Sequence, residues 1–153
     1  MPRINPVELA TADTGVQATL GAVKAKIGMV PNLFATFAQA PAVLNGNLAF
    51  ADALTKGVLT AAQREIVSLA VAQYNSCHYC LSAHTLLGKG AGLSPAAIRA
   101  ARQGKGESAI DNAIATLALR IVETRGQVSD ADLSEARLAG LDDARIVEIV
   151  GNV

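Results

Sequence analysis

The chain has 153 residues, enough for one domain with a substantial core and no need of covalent staples. Its 13 Lys and Arg balance its 13 Asp and Glu, so no long-range field draws nucleic acid, an anionic membrane or an acidic substrate. The opening Met-Pro-Arg-Ile-Asn-Pro-Val-Glu carries no basic, apolar leader, and no stretch reaches the ~18 uninterrupted apolar residues of a membrane span; a cytoplasmic protein with no nucleic-acid or membrane partner is expected.

Hydrophobic residues make up 51% of the chain, yet only 3% are aromatic and Trp is absent. The apolar mass is therefore Ala, Leu, Val and Ile, which suits closely packed helices. Apolar content this high also points to surface covered by further copies of the chain, a homo-oligomer.

In chain order, the segment from Pro6 to Lys26 reads as helical. Pro31 to Ala38 and Pro41 to about Leu54 each begin with Pro, as first helical turns do. Thr60-Ala61-Ala62-Gln63 has the form of a capping box and opens a helix to about Tyr74, with Ile66, Val67, Leu69, Ala70 and Val71 spaced for burial. Asn75 and Ser76 interrupt it and either can cap the next helix, which places Cys77 in a first turn and runs to about Leu87, closed by Gly88, Gly90 and Gly92.

Ser94-Pro95 starts a short helix to about Gln103. From Ser108 to Thr124 the residues Ile110, Ile114, Leu117, Leu119, Ile121 and Val122 describe a long, largely buried helix. Ser129 opens another to Ala139, and Asp142 caps the last, still apolar at Ile146, Val147, Ile149 and Val150. No strand alternation, nucleotide-binding loop or tandem repeat appears. The expectation is a single all-α domain over 1–153, a bundle of about eight helices.

The chemistry concentrates in Cys77-His78-Tyr79-Cys80-Leu81-Ser82-Ala83-His84. In a reducing compartment a close pair of cysteines is more often catalytic, redox-sensing or metal-binding than structural. At a helix N-terminus the unpaired N–H groups and the dipole favour thiolate, and Cys-x-x-Cys brings two sulfurs within bridging distance. His84 lies four residues after Cys80, ~40° around a helix and one turn on, whereas Cys77 is seven residues, about two turns or ~10 Å along the axis, from His84. The spacing assigns the base to Cys80 and leaves Cys77 to resolve it or to meet an outside dithiol. Glu65 sits on the preceding helix and reaches His84 only if a tight turn folds the two helices together; it would then orient the imidazole. His78 reads as a surface residue or a modest aid to the Cys77 thiolate, and Tyr79 as packing.

Glu65, eleven residues, Cys77-x-x-Cys80, three residues, His84 resembles the signature of the alkylhydroperoxidase D family, within the carboxymuconolactone-decarboxylase-like superfamily. Asn75-Ser76-Cys77-His78-Tyr79-Cys80-Leu81-Ser82-Ala83-His84-Thr85 is similar to its uncharacterised peroxidase-related branch, and a looser likeness runs over residues 25–150 through Met29-Val30-Pro31-Asn32-Leu33-Phe34. The resemblance implies an all-helical fold, trimers or hexamers, and a thiol peroxidase without cofactor or metal. Cys80 would be peroxidatic, Cys77 resolving, and Glu65 and His84 a proton relay, with a hydroperoxide as substrate and a dithiol or lipoylated protein as reductant. The chain departs from that pattern at Tyr79, where the family has His before the second cysteine. Relatives of the branch also continue further, so Val153 reads as a truncation inside a helix.

Three other readings compete. Cys77, Cys80 and His84 with Glu65 or His78 would form a zinc site, although structural zinc usually draws two ligand pairs from separate segments. A non-redox lactone decarboxylase of the same superfamily would not need the cysteines. A disulfide reductase would use them without peroxide.

Overall fold

The computed structural model describes residues 2–153 and is all-helical over them. A 3-10 turn at Leu9–Thr11 precedes α1 (Thr14–Ile27), α2 (Asn32–Phe37), α3 (Pro41–Leu54), α4 (Ala61–Tyr74), α5 (His78–Gly90), α6 (Pro95–Arg102), α7 (Ala109–Glu123), α8 (Asp130–Leu138) and α9 (Asp143–Asn152). Nine α-helices among the described residues stand against about eight expected. The chain divides into two compact units, one ending at Ala53 and the other spanning Leu54–Val153.

In the first unit Val16, Leu20, Ala38 and Leu44 form the buried centre, with Val7, Leu9, Phe34 and Phe37 packed around it. The helix expected from Pro6 begins later. Asp13 accepts from the Val16 N–H at 2.9 Å and so starts α1, while Val7 upstream donates its N–H to the Ala35 carbonyl instead of to a helix. An acceptor side chain at the right offset outweighed the apolar pattern before it.

The second unit is organised around α4, which packs against α5, α6, α7 and α9. Ile66, Val67 and Leu69 are buried with Ile98 and Ala101 of α6, Ile114, Leu117 and Ile121 of α7, and Ile146 and Ile149 of α9. Each large aliphatic side chain buried there contributes about 1.5–3 kcal/mol before the entropy of ordering it is subtracted. The inner face of α7 differs from the expected one in detail. Ala113, Ala115 and Ala118 are buried beside Ile114, Leu117 and Ile121, while Ile110 is 37% exposed and Leu119 and Val122 are half-buried. Small residues let α7 lie close to α4, so burial followed the contact and not side-chain size. Val147 and Val150 of α9 likewise face outward, 69% and 57% exposed.

Both ends of α4 are fixed. At its start Thr60 and Gln63 exchange capping hydrogen bonds, as expected from the sequence. Just upstream the Glu148 carboxylate of α9 accepts from the backbone N–H groups of Val58 (2.6 Å) and Leu59 (2.9 Å). Gly57 makes room for it: a Cβ there would fall on the Glu148 carboxylate. At the other end Ser76 donates to the Gln73 carbonyl (3.1 Å) and Cys77 to that of Ala72 (2.9 Å), with Ser76 left-handed at φ 52. This is the Schellman closure of a helix, with Ser where Gly is usual.

The helix through Cys80 does not stop before Gly88. It continues to Gly90, and Gly88 is buried inside it. A Cβ on Gly88 would meet Leu93 Cδ1 at 3.2 Å, Leu69 Cδ1 at 3.7 Å and Glu65 Cβ at 3.8 Å. The missing side chain lets α5 close onto α4 beside Glu65.

Two outcomes test these contacts. Gly88→Ala, whose methyl crowds the movable end of Leu93 and meets Leu69 and Glu65 at ordinary contact distance, should keep stability within about 1 kcal/mol because Ala regains helix propensity, whereas Gly88→Leu should cost about 1–3 kcal/mol in urea unfolding by forcing α4 and α5 apart. A Gly88→Leu protein as stable as the parent would show that this contact does not set the spacing. The second concerns α8. Ser129 Oγ, with Arg120 Nε at 3.0 Å, holds the Asp132 carboxyl down from 3.8 to about 2. Its folded value lies below its unfolded one, so its contribution is complete above pH 3.8 and is lost as pH falls toward about 2. The stability gap between parent and Asp132→Asn should therefore be constant from neutral pH down to that point and then close; a gap constant through the whole acid range would refute it.

Candidate active site

Cys77 belongs to two helices at once. Its N–H closes α4, and its Sγ accepts the Cys80 N–H at 3.2 Å as the N-cap of α5. Sequence reasoning gave capping to Asn75 or Ser76 and put Cys77 inside the first turn. In the structure Asn75 ends α4, Ser76 supplies the left-handed residue, and the thiol does the capping. Sulfur is a weak acceptor, and as thiolate a stronger one, so the position favours the ionised form.

The two cysteines are joined as a disulfide, with Cα atoms 5.3 Å apart. Both are partly exposed, so an outside thiol has access. Cys80 is the third residue of α5, and His84 stands one turn further along it.

Glu65 and His84 also meet, although 19 residues and a helix break separate them. His84 Nδ1 lies 2.8 Å from Glu65 Oε2, with the two side chains 31% and 17% exposed. An ionised carboxylate only accepts, so the proton of a neutral imidazole sits on Nδ1 and Nε2 carries the lone pair. Glu65 thereby fixes both ring orientation and tautomer. The partner the structure gives His84 is this carboxylate; its relation to Cys80 is that of successive turns of one helix. Gly88, one turn beyond His84, is the positioning residue that sequence reasoning missed. In the sequence it looks like a helix stop because glycine punctuates more often than it packs, and only the neighbouring helix shows the difference.

His78 and Tyr79 point elsewhere. Both are exposed, Tyr79 by 49%, and neither joins the Glu65–His84 pair. Among the described residues no group of three or more His, Cys, Asp or Glu is gathered as a metal site, and the two sulfurs of the zinc reading are bonded to each other. No helix among those residues is long and apolar enough to cross a membrane. A shallow cleft of about 150 Å³ between α7 and α8 is lined by Arg120 and Asp132, which pair with each other, and by none of the four residues of the candidate site.

Chemically the arrangement supplies a two-electron couple, a helix N-terminus that favours thiolate, and an oriented base one turn beyond one of the sulfurs. It can take an electrophile at sulfur, move one proton, and store the oxidised product as a disulfide.

Comparison with known proteins gives this geometry its relatives. The family described as "Carboxymuconolactone decarboxylase family" matches residues 41–124, which include all four residues. A crystal structure of an alkylhydroperoxidase AhpD core, an uncharacterized peroxidase-related protein from Ralstonia eutropha JMP134, superposes with a TM-score of 0.87 at 27% identity, covering 99% of this chain and 84% of that one. A second uncharacterized peroxidase-related protein, from Silicibacter sp. TM1040, gives 0.81 at 23% identity, over 99% and 83%. The debrominase Bmp8, solved with 2,3,4-tribromopyrrole, gives 0.81 at 11% identity, over 99% and 82%, a likeness of fold alone. No curated protein matches the chain. A match over more than half of the sequence, together with a helical fold shared with an alkylhydroperoxidase core along nearly its whole length, establishes that the chain belongs to the carboxymuconolactone decarboxylase family, as an alkylhydroperoxidase-like member.

Proposed function

We propose that the protein is a thiol-dependent hydroperoxidase. The observation that carries this reading is the bond from Glu65 to His84 Nδ1, one helical turn beyond a cysteine whose partner caps the same helix. A structural disulfide has no use for an oriented base.

In the reduced protein the Cys80 thiolate attacks the terminal oxygen of a hydroperoxide. The O–O bond breaks, Cys80 becomes a sulfenic acid, and the departing alkoxide takes a proton through His84, whose charge Glu65 balances. The Cys77 thiolate then attacks the Cys80 sulfur and expels hydroxide, which takes a proton from solvent to leave as water, forming the disulfide. A dithiol restores both thiols and leaves as its own disulfide. Cys77, as the N-cap, gains from the Cys80 N–H each time it is released as thiolate. No cofactor or metal enters the cycle. A homo-oligomer fits the apolar side chains left at the surface, such as Leu138, 89% exposed, and Leu86, 72% exposed.

A second reading has one observation in its favour: the matched family is described as carboxymuconolactone decarboxylases. That reaction would use the helical frame and the His84–Glu65 pair without sulfur redox chemistry.

Cumene hydroperoxide consumption, followed with dihydrolipoamide as reductant, separates the two. Cys80→Ser should abolish turnover and Cys77→Ser should stop it after one equivalent of peroxide. His84→Ala should lower it by about 10²–10⁴-fold, the range of a positioned acid–base group. Absence of turnover in the parent protein, at two titratable thiols per reduced chain, would sink the peroxidase reading.

A further inference from the structure

From Ile27 to Ala51 the chain carries no ionisable side chain, although 17% of its residues are charged. Helix α3 begins inside that segment, and Leu44 is its one buried residue. Leu44 and the partly buried Leu48 hold it to the core of the first unit. Val43 and Phe50 are 51% and 55% exposed. Counted around the helix from Val43, Gly46, Asn47 and Phe50 fall within ~60° of it, Leu44 and Leu48 lie ~100–140° away, and Asp52 is on the opposite side. A helix in water is expected to be polar on its outer side, and this one has an apolar stripe there as well as an apolar root.

Gly46 is a second, independent observation. It stands in mid-helix, where glycine is the poorest residue after proline, and a Cβ on it would meet nothing within 4 Å. Nothing inside its own chain calls for a glycine at that place. A missing side chain in the middle of an exposed apolar stripe suits a surface that another backbone approaches closely.

The stripe is its own complement. Two antiparallel α3 helices related by a two-fold axis between Gly46 and Asn47 set Val43 of each against Phe50 of the other, and Gly46 of each against Asn47 of the other. Such a contact is isologous and closes on itself. Asn47, exposed in the single chain, then lies beside the axis, where its amide can bond its counterpart and penalise a shifted register. The chain's net charge is zero and the stripe holds no charge, so no field opposes the approach of two copies. We propose that α3 is a two-fold, helix-to-helix contact between copies of this chain, which makes its assembly even-numbered. The inference rests on α3 and not on the redox reading of the cysteine pair.

Light scattering of the parent protein should give an even number of chains, and Phe50→Glu should halve that number with helix content by circular dichroism unchanged. Gly46→Leu should halve it too, although it makes the stripe more apolar, which separates close packing from general stickiness. A count of one or any odd number in the parent, or a count that either variant leaves unchanged, would overturn the proposal. The register has its own test in a Cys77→Ser/Cys80→Ser background. Chains with Val43→Cys mixed with chains with Phe50→Cys should form a disulfide-linked dimer under mild oxidant, and neither should do so alone, because like positions lie seven residues, ~10 Å, apart along the pair and beyond disulfide reach. No cross-link in the mixture, or an equal one in either variant by itself, would overturn the antiparallel pairing.

Discussion

Helices α4 and α5 share a single joint residue, and the candidate site follows from how tightly that joint is drawn. Cys77 spends its N–H closing one helix and its sulfur opening the next, so no loop intervenes to let the helices drift apart. Antiparallel neighbours joined this closely must pack face to face, and they do so where Gly88 offers no side chain. Glu65 then lies opposite His84, and a 2.8 Å bond forms across the interface. Lengthening the joint, or placing a side chain as large as Leu at Gly88, would separate the carboxylate from the imidazole without touching either.

The same joint explains why one chemistry-bearing residue has two duties. An N-cap is ordinarily Ser, Thr, Asp or Asn because a hard oxygen best meets the free N–H groups. Elsewhere in the second unit the rule holds: Thr60, Ser94, Ser108, Ser129 and Asp142 all accept from a backbone N–H three residues on. Only at α5 does a sulfur replace the oxygen. The weaker cap is tolerated because the α4–α5 interface, with Leu69, Leu81 and Gly88 buried, holds the helix start in place.

That contrast marks what could be read from the sequence. Caps are local, so α4, α6, α7, α8 and α9 begin within a residue of where their Ser, Thr and Asp signals put them. The cysteine pair and the one-turn interval to His84 are local too. Contacts that depend on a neighbour escaped. Asp13 overrode the apolar pattern from Pro6, Gly88 was a packing residue and not a stop, and the small residues Ala113, Ala115 and Ala118 took burial that Ile110 and Leu119 were expected to have. The Glu65–His84 bond was legible only as a condition on the turn, because spacing within one helix says nothing about side chains on two. The hydrogen bond from Arg102 to Gln73 left no mark at all, since the two residues meet only in three dimensions.

The Glu148 carboxylate ties the backbone of Val58 and Leu59 from about ninety residues away, which sets an order of events during synthesis. Every residue of the cysteine–imidazole–carboxylate hairpin has been made by position 84, so that local pairing can form while the chain is still growing. The segment leading into α4 must wait for the last helix to emerge. Until the last helix is in place, the hairpin that carries both cysteines lacks this tie at the start of α4.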